Sequence, residues 1–453
     1  VQAIGNTGGT ITAVANTSNI SAGASLQANG NNGPGGAITL QTTQNQAINN
    51  ATVQANGTSH GGNIQITTTQ GDINLQSALI QTNGAAGRGG QIAISATNYT
   101  SLESSTLEAT GYAQGGTIKV GNDAGNTNNG NTNIGNTLPF SIFTNLDASS
   151  ILNASQTNLA NITNGGYIET SGQTINLLSS INAGRGGMWL LDPNNVIISA
   201  TATSGGSLPS YTAGATTSYV KDTDIQNQIN AGTSVTIVAN GTITQNTALT
   251  FNVSSANLTP TLTLNNSSGS IQNITLAAIT DNSSGSGSKV NLSVISAGGA
   301  ITVGGAISVK GTISLDNTYQ VNGNTSGYIN SALTNWNSLA TTSAGITIGS
   351  GYAISGVNGI IINAVASANN AAYLAANLTS SSGNITITGT STTGSGVTNA
   401  GLASALTANN GVITITGTAT TTGYGVYEQL NSSLSAKAIT VNGTTATGSY
   451  GAY

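Results

Sequence analysis

The sequence predicts an all-β protein, a right-handed parallel β-helix with loop excursions and one short helix. Three observations favour this fold. Pairs of glycines recur at a nearly constant spacing along the first quarter of the chain. Each pair is followed by an alternation of apolar and polar residues, which is typical of strands with one buried face. Finally, 37% of the residues are hydrophobic and only 4% are charged, so the chain can form a core and lacks the charge typical of a disordered segment.

The first repeat consists of two glycines, a variable residue and isoleucine. It occurs at Gly8–Ile11, Gly35–Ile38, Gly61–Ile64, Gly89–Ile92 and Gly115–Ile118, so the first glycines are 27, 26, 28 and 26 residues apart. Two further short alternations follow in each unit, and three strands per unit are typical of one β-helix coil. Coils of roughly 22 to 27 residues would number about 17 to 20. We expect the glycines to adopt positive φ at a sharp turn, where a side chain would collide with the next coil.

The repeats and their interruptions predict five parts. In chain order these are β-helix at 1–120, an irregular loop excursion at 121–164, β-helix at 165–203, an excursion with a short helix at 204–232, and β-helix at 233–453. The helix is predicted from Thr223 as its N-cap to a stop at Gly232. In the last part a strand pattern recurs with Ile385, Ile413 and Ile439 in equivalent positions.

Two segments go beyond repetition. The first contains the runs Gly165-Gly166-Tyr167-Ile168-Glu169-Thr170-Ser171-Gly172 and Met188-Trp189-Leu190-Leu191-Asp192-Pro193, and the second covers residues 224–237. In order and spacing they resemble large exoproteins of the filamentous haemagglutinin type. The residues that carry the motif, for which we expect structural roles, are Gly165, Gly166, Glu169, Gly172, Trp189, Leu191, Asp192 and Pro193.

This resemblance implies export across an outer membrane by two-partner secretion, in which a dedicated barrel transporter passes the unfolded chain outward. Members serve as adhesins, biofilm matrix proteins or carriers of a toxin. We therefore expect a secreted, extracellular or cell-surface rod with a structural or adhesive role. Its expected partners are the barrel transporter and a host or matrix glycan or protein, and homo-polymerisation into a filament is also open. We expect the natural protein to extend beyond both ends of this sequence.

Composition argues against several other functions. The 7 Lys and Arg residues form no cluster that could neutralise nucleic acid phosphates. The chain has no cysteine and one histidine, His60, which we expect in a solvated turn, so no metal or cofactor is expected. Two alternatives remain open. A carbohydrate-active β-helix enzyme would need converging carboxylates, and an autotransporter passenger would carry a barrel on the same chain.

Few residues attract attention as individual sites. Asp222 and Asp224 form the one local acidic cluster, beside Lys221, where acids stabilise a helix start. Arg88 and Arg185 share the context Gly-Arg-Gly-Gly, in which a guanidinium could bind an anion or pair with a carboxylate of a neighbouring coil. We therefore expect no catalytic site and no enzyme activity.

Two local patterns have structural interpretations. Trp189 lies in a strand of large apolar residues, and we expect a turn after it in which Asp192 caps and Pro193 fixes φ. The alternation Thr386, Thr388 and its repeat 28 residues later are also typical of ice-binding β-helices. Because the amino-terminal coils carry other residues at these positions, we expect ordinary solvent-facing threonines instead.

Overall fold

The computed structural model describes residues 1–121, 138–158, 160, 163–201, 216–266, 272–318, 345–350, 352–400, 404–429, 432–446 and 449–453. The described chain forms two compact units. The first comprises Val1–Asn195 and Thr201–Ile237, and the second comprises Val196–Ala200 and Val238–Tyr453. Parallel strands stack as a β-solenoid of about 14 turns, which confirms the predicted β-helix. The turns are fewer than the about 17 to 20 expected from the sequence.

The strands are short and begin near the amino terminus. The first nineteen are β1 (Thr10–Ala15), β2 (Ser18–Ile20), β3 (Ser25–Gln27), β4 (Ala37–Thr42), β5 (Gln46–Asn49), β6 (Thr52–Gln54), β7 (Asn63–Thr68), β8 (Ile73–Gln76), β9 (Leu79–Gln81), β10 (Gln91–Ala96), β11 (Tyr99–Glu103), β12 (Thr106–Glu108), β13 (Thr117–Val120), β14 (Phe143–Leu146), β15 (Ile151–Asn153), β16 (Tyr167–Ser171), β17 (Thr174–Leu177), β18 (Ser180–Asn182) and β19 (Met188–Asp192). Next come β20 (Asn195–Ser199), β21 (Thr217–Lys221), the helix α1 (Asp222–Asn230) and β22 (Ser234–Val238).

The strands that follow are β23 (Ile243–Gln245), β24 (Leu249–Phe251), β25 (Thr261–Asn265), β26 (Ile274–Leu276), β27 (Ile279–Asp281), β28 (Asn291–Ile295), β29 (Ile301–Val303), β30 (Ile307–Val309), β31 (Thr312–Asp316), β32 (Ile346–Ile348), β33 (Ala353–Gly356), β34 (Gly359–Ala366), β35 (Ala372–Leu374), β36 (Asn377–Ser380), β37 (Asn384–Ser391), β38 (Val397–Asn399), β39 (Ala405–Ala419), β40 (Val426–Glu428) and β41 (Ser433–Thr445).

In the first unit, most coils contribute one strand to each of three parallel ladders. The ladders run β1-β4-β7-β10-β13-β16-β19-β22, β2-β5-β8-β11-β14-β17 and β3-β6-β9-β12-β15-β18. The predicted coil of three strands is therefore confirmed. The motif strands β16 and β19 belong to the first of these ladders, so they occupy further turns of the same repeat.

The isoleucine of each repeat forms a continuous buried column. Residues in register along this column are Ile11, Ile38, Ile64, Ile92, Ile118, Ile168, Trp189 and Val235. All of them are buried. Burying an aliphatic side chain of this size stabilises a fold by about 1.5 to 3 kcal/mol, so the column is a main source of cohesion between coils.

The paired glycines are required by contact between coils, not by an unusual φ. None of the pairs from Gly8 to Gly116 has a positive φ, so the prediction of a left-handed turn at these pairs is wrong. A Cβ on Gly62 would lie 2.0 Å from the carbonyl oxygen of Gly36, and one on Gly90 would lie 2.0 Å from that of Gly62. The predicted collision with a neighbouring coil is therefore confirmed.

The second unit also contains three parallel ladders. They run β20-β23-β26-β29-β32-β35-β38-β40, β24-β27-β30-β33-β36-β39-β41 and β25-β28-β31-β34-β37-β39-β41. Strands β39 and β41 belong to two ladders, because each continues through a register shift between Ala408 and Val412 of β39. The predicted alignment of Ile385, Ile413 and Ile439 is confirmed.

The helix α1 is the only helix in the described ranges, and it confirms the predicted short helix. Its N-cap is Lys221 and not Thr223, and no side chain caps it, because strand β21 leads directly into the first turn. Ile225 and Ile229 are buried on one face. Gly232, with φ +87°, follows the helix end as predicted. This helix has nine residues, and none that could cross a membrane occurs in the described residues.

The two predicted excursions are only partly described. Residues 122–137, 159, 161 and 162 of the first and 204–215 of the second lie outside the described ranges. Within 121–164, strands β14 and β15 pair with β11 and β12, so this segment is not irregular throughout. Short runs such as Phe143–Leu146 carry too few residues for their alternation to stand out in the sequence.

Candidate functional site

The motif residues lie on two neighbouring strands of the first unit, β16 and β19. Ile168 is in register with Trp189, and Thr170 with Leu191. These four side chains are buried in the coil interior, where the indole Nε1 of Trp189 donates a hydrogen bond of 3.2 Å to Thr170 Oγ1. Trp189 is therefore a core residue whose one polar atom is satisfied.

The opposite face of β16 carries a buried carboxylate, that of Glu169. Its side chain is fully buried. The hydroxyl of Tyr167 donates to Glu169 Oε2 at 3.0 Å, and the hydroxyl of Ser171 donates to Oε1 at 2.9 Å. Lys119 is in register with Glu169 on strand β13, and its Nζ lies 6.0 Å from the centre of the Tyr167 ring. The carboxylate therefore lies in a polar network on this face.

A second buried carboxylate, that of Asp192, lies next to this network. Asp192 ends strand β19 and is in register with Ser171, which itself binds Glu169. Burial, and to a smaller extent the charge of Glu169, raise the pKa of Asp192 from 3.8 to about 8. Asp192 is therefore mostly protonated at neutral pH. We call Glu169 and Asp192 the buried acid pair.

The role predicted for Asp192 as the cap of a turn is not what the structure has. Within the described residues, no hydrogen bond reaches its carboxylate, and its side chain is 7% exposed. The strand does end at this residue, and Pro193 follows directly. Sequence reasoning missed the burial, because an acidic residue at an outward position of a strand is typical of a solvated surface.

The glycine positions of the motif have no room for a side chain. A Cβ on Gly165 would lie 2.6 Å from the carbonyl oxygen of Ala183, and one on Gly166 would lie 2.1 Å from that of Ala154. A Cβ on Gly172 would meet the hydroxyl of Thr144 at 2.9 Å. These glycines therefore admit the neighbouring coils, as the paired glycines of the earlier repeats do.

The buried acid pair lacks the features of a catalytic or metal centre. General acid and base groups must reach a substrate, whereas both carboxylates are buried. A metal ion bound by oxygen ligands usually takes more than two protein groups. In the part of the chain that the structure describes, no three His, Cys, Asp or Glu residues come together. We therefore interpret the pair as a structural element whose charge depends on pH.

The other charged candidates lie apart from this pair. Asp222 and Asp224 are in the first turn of α1. The pKa of Asp224 is raised overall, because burial, the largest cause, and the charge of Asp222 raise it by more than the charge of Lys221 lowers it. His60 is exposed at a bend between strands.

A shallow depression beside Arg88 contains the glycine pairs of two neighbouring coils. Its lining includes Gln114 and Gly116. The backbone N–H of Gly116 donates to Ala109 O at 2.7 Å, and that of Gly89 donates to Gln114 O at 2.9 Å. Since these two N–H groups already bind backbone oxygens, they are not free to bind an anion.

Equivalent polar side chains form a ladder on the third strands of the first unit. Each amide nitrogen donates to the next coil, from Gln2 through Gln27, Gln54 and Gln81 to Glu108, with distances of 3.0, 3.0, 2.5 and 2.6 Å. We call this series the glutamine ladder. A parallel series joins the side chains of Asn29, Asn56 and Asn83 to the backbone N–H of the following coil at 2.7 to 2.9 Å. Side chains therefore reinforce the backbone ladders.

Four tyrosines form an aromatic surface in the second unit, the tyrosine cluster, which consists of Tyr424, Tyr427, Tyr450 and Tyr453. The rings of Tyr427 and Tyr453 are 5.7 Å apart and within 9° of parallel, and those of Tyr424 and Tyr453 are 5.1 Å apart. Tyr450 and Tyr453 are 64% and 62% exposed. Sequence analysis missed this cluster, although Tyr-Gly-x-Tyr occurs twice with the spacing of one coil.

Comparison with known proteins identifies no relative. No family model, curated protein or solved structure matches the chain. The fold and the side-chain geometry described above are therefore the basis for a functional assignment.

Proposed function

We propose that this chain belongs to a structural and adhesive exoprotein of the filamentous haemagglutinin type. It acts outside the cell or on its surface, after export through an outer-membrane barrel partner. The observation that carries the proposal is that backbone ladders connect equivalent residues of successive coils in each unit, and that side-chain ladders reinforce them in the first unit. Such a scaffold has a regular surface, and the side chains on this surface can change without loss of the fold.

Local cohesion supports the structural part of this proposal. Each coil gains its hydrogen bonds and buried columns from the coils directly before and after it, so stability is approximately a sum over neighbours. A chain of this kind can fold progressively as it emerges from a narrow transporter. The absence of cysteine is consistent with this route, because no disulfide can trap the chain in an oxidising periplasm.

The tyrosine cluster supports the adhesive part, and we assign it to glycan binding. Aromatic rings stack on the C–H faces of sugars, and phenol hydroxyls form hydrogen bonds with sugar hydroxyls. Tyrosine places both groups on one side chain that loses little conformational entropy on binding. The exposed rings of Tyr450 and Tyr453 therefore suit a polysaccharide of a host surface or a biofilm matrix.

Binding of matrix polysaccharides and glycan arrays by the purified chain tests this assignment. Tyr453→Ala and Tyr427→Ala should each reduce binding by about tenfold, if one stacked ring contributes about 1.4 kcal/mol. Tyr112→Ala is a matched control, because Tyr112 is 50% exposed in the first unit. Equal binding by all variants would contradict the role of the cluster.

Export is tested separately from binding. The gene should lie beside one for an outer-membrane barrel, and co-expression of the two should release the chain in a protease-resistant form. A barrel fused to the same chain would instead favour an autotransporter passenger. Release of new reducing ends from a bound polysaccharide would favour a carbohydrate-active enzyme.

A further inference from the structure

Strands β37, β39 and β41 present a regular array of threonines on the outward face of the second unit. Its three rows are Thr386, Thr388 and Thr390; Thr414, Thr416 and Thr418; and Thr440, Asn442 and Thr444. The rows are in register, so equivalent residues form three columns across the strands. We call these nine residues the threonine array. It is wider and longer than the four threonines considered from the sequence.

Among the described residues, the hydroxyl groups of the array have no hydrogen-bond partner. None of the eight threonines donates or accepts a side-chain hydrogen bond in the described part of the chain, and they are half-buried or exposed. Elsewhere in this unit, Thr421 and Thr422 donate to the carbonyl oxygens of Thr392 and Thr393 in the preceding coil. The array therefore keeps its hydrogen-bonding capacity for a ligand.

Buried side chains hold the first two rows of the array in place, and the array carries no charge. Ile385, Ile387, Ile413 and Ile415 alternate with the threonines of the first two rows and are fully buried, which fixes those strands. Threonine is β-branched, so its side chain has few rotamers. Lys437 is the one charged residue in the three strands, and it lies outside the array. A ligand would therefore meet a fixed pattern of methyl and hydroxyl groups.

We propose that the threonine array binds the surface of ice. Hydroxyls repeat about every 4.8 Å between coils and about every 6.7 Å along a strand. Both distances are close to repeats of the hexagonal ice lattice, so water held by the array is already spaced as water in a crystal face. The methyl groups order the surrounding water, and the hydroxyls anchor it. This proposal does not depend on adhesion or on the export route.

The readout must suit a small surface. Nine residues at these spacings cover about 300 Å². An array of this size should lower the freezing point only slightly, so incorporation into slowly growing ice is the more sensitive measurement. The intact chain, at constant concentration and salt, should enter the ice fraction more than an unrelated protein of similar mass and charge.

Two variants with a matched control test the assignment. Thr416→Lys places a long charged side chain at the centre of the array and should reduce incorporation to the level of the unrelated protein. Thr416→Val keeps the β-branched shape but removes one hydroxyl, so this variant should retain part of the incorporation into ice. Thr302→Lys is the control, because Thr302 is exposed at the middle of a strand in another ladder of the same unit, and it should behave as wild type.

The outcomes separate the possibilities. Circular dichroism must show that each variant unfolds at the wild-type temperature, and Thr416→Val serves if the lysine variant fails this check. Wild type that is excluded from ice like the unrelated protein would overturn the proposal. So would equal incorporation of wild type and Thr416→Lys. Binding to insoluble cellulose or chitin that Thr416→Lys abolishes, without incorporation into ice, would assign the array to a polysaccharide instead.

Discussion

Replacing Asp192 by asparagine should make the protein more stable at neutral pH and less sensitive to pH. The carboxyl of Asp192 is buried beside Glu169, so its pKa is raised from 3.8 to about 8. Between these two pH values, the folded chain holds a proton that the unfolded chain has lost. The free energy of unfolding therefore falls as pH rises through this window, and Asp192 causes no further loss above it.

The size of the effect follows from the shift. Each pKa unit corresponds to about 1.4 kcal/mol, so the whole window is equivalent to about 6 kcal/mol as an upper value. At pH 7 the stability already lost is about 4 kcal/mol by the same conversion. Asparagine is neutral at every pH and similar in shape to protonated aspartic acid. The Asp192→Asn variant should therefore recover most of this loss at neutral pH.

Urea unfolding at pH values from about 4 to 9 tests this prediction. The fluorescence of buried Trp189 reports on the same strand as Asp192, and a Trp336→Phe background removes the second tryptophan of the sequence. Glu169→Gln should lower the pKa of Asp192 but leave it raised, because burial is the larger cause. A wild-type stability that does not fall from pH 5 to pH 8, or an equal slope in Asp192→Asn, would refute the argument.

Three further predictions concern the contacts between coils. Gly90→Ala should lower the free energy of unfolding by about 3 kcal/mol or more, because its Cβ would meet the Gly62 oxygen. Gly304→Ala is the control, since the atom nearest to its Cβ would be 3.3 Å away, and it should leave the urea midpoint almost unchanged. Equal midpoints of the two variants would show that the coils separate easily. Trp189→Ala should cost about 3 to 5 kcal/mol in thermal or urea unfolding followed by circular dichroism, and a loss below that of a surface substitution would argue against a packed column. Gln54→Leu should cost about 1 kcal/mol in the same assay, since two neighbours lose an amide partner, whereas Glu108→Gln preserves an acceptor and should unfold as wild type does.

The repetitive part of the fold could be predicted from the sequence because one rule is repeated many times. In each repeat from Gly35 to Ile118, glycines that admit the neighbouring coil precede an isoleucine in the buried column. A wrong prediction for a single repeat is therefore corrected by the other repeats. The short helix was also predictable, since Ile225 and Ile229 are one helical turn apart and Gly232 follows them.

The candidate sites were harder to predict, because they depend on contacts outside the repeating unit. Glu169 and Asp192 occupy outward positions, which are exposed in ordinary strands but buried here. The width of the threonine array depends on the register of Thr390 with Thr418 and Thr444, and three residues in a column become visible only when the coils are aligned. Charge, burial and width at these sites are therefore properties of the stack and not of a local segment.

The glutamine ladder has a consequence for how this protein can change its length. Each internal glutamine accepts a hydrogen bond from the coil before it and donates one to the coil after it. A gene duplication that inserts one complete coil between Gln27 and Gln81 would add a residue that both accepts and donates, so every amide would remain paired. An insertion of half a coil would leave the amides on either side without partners. The ladder therefore permits evolution by whole coils and opposes any other increment.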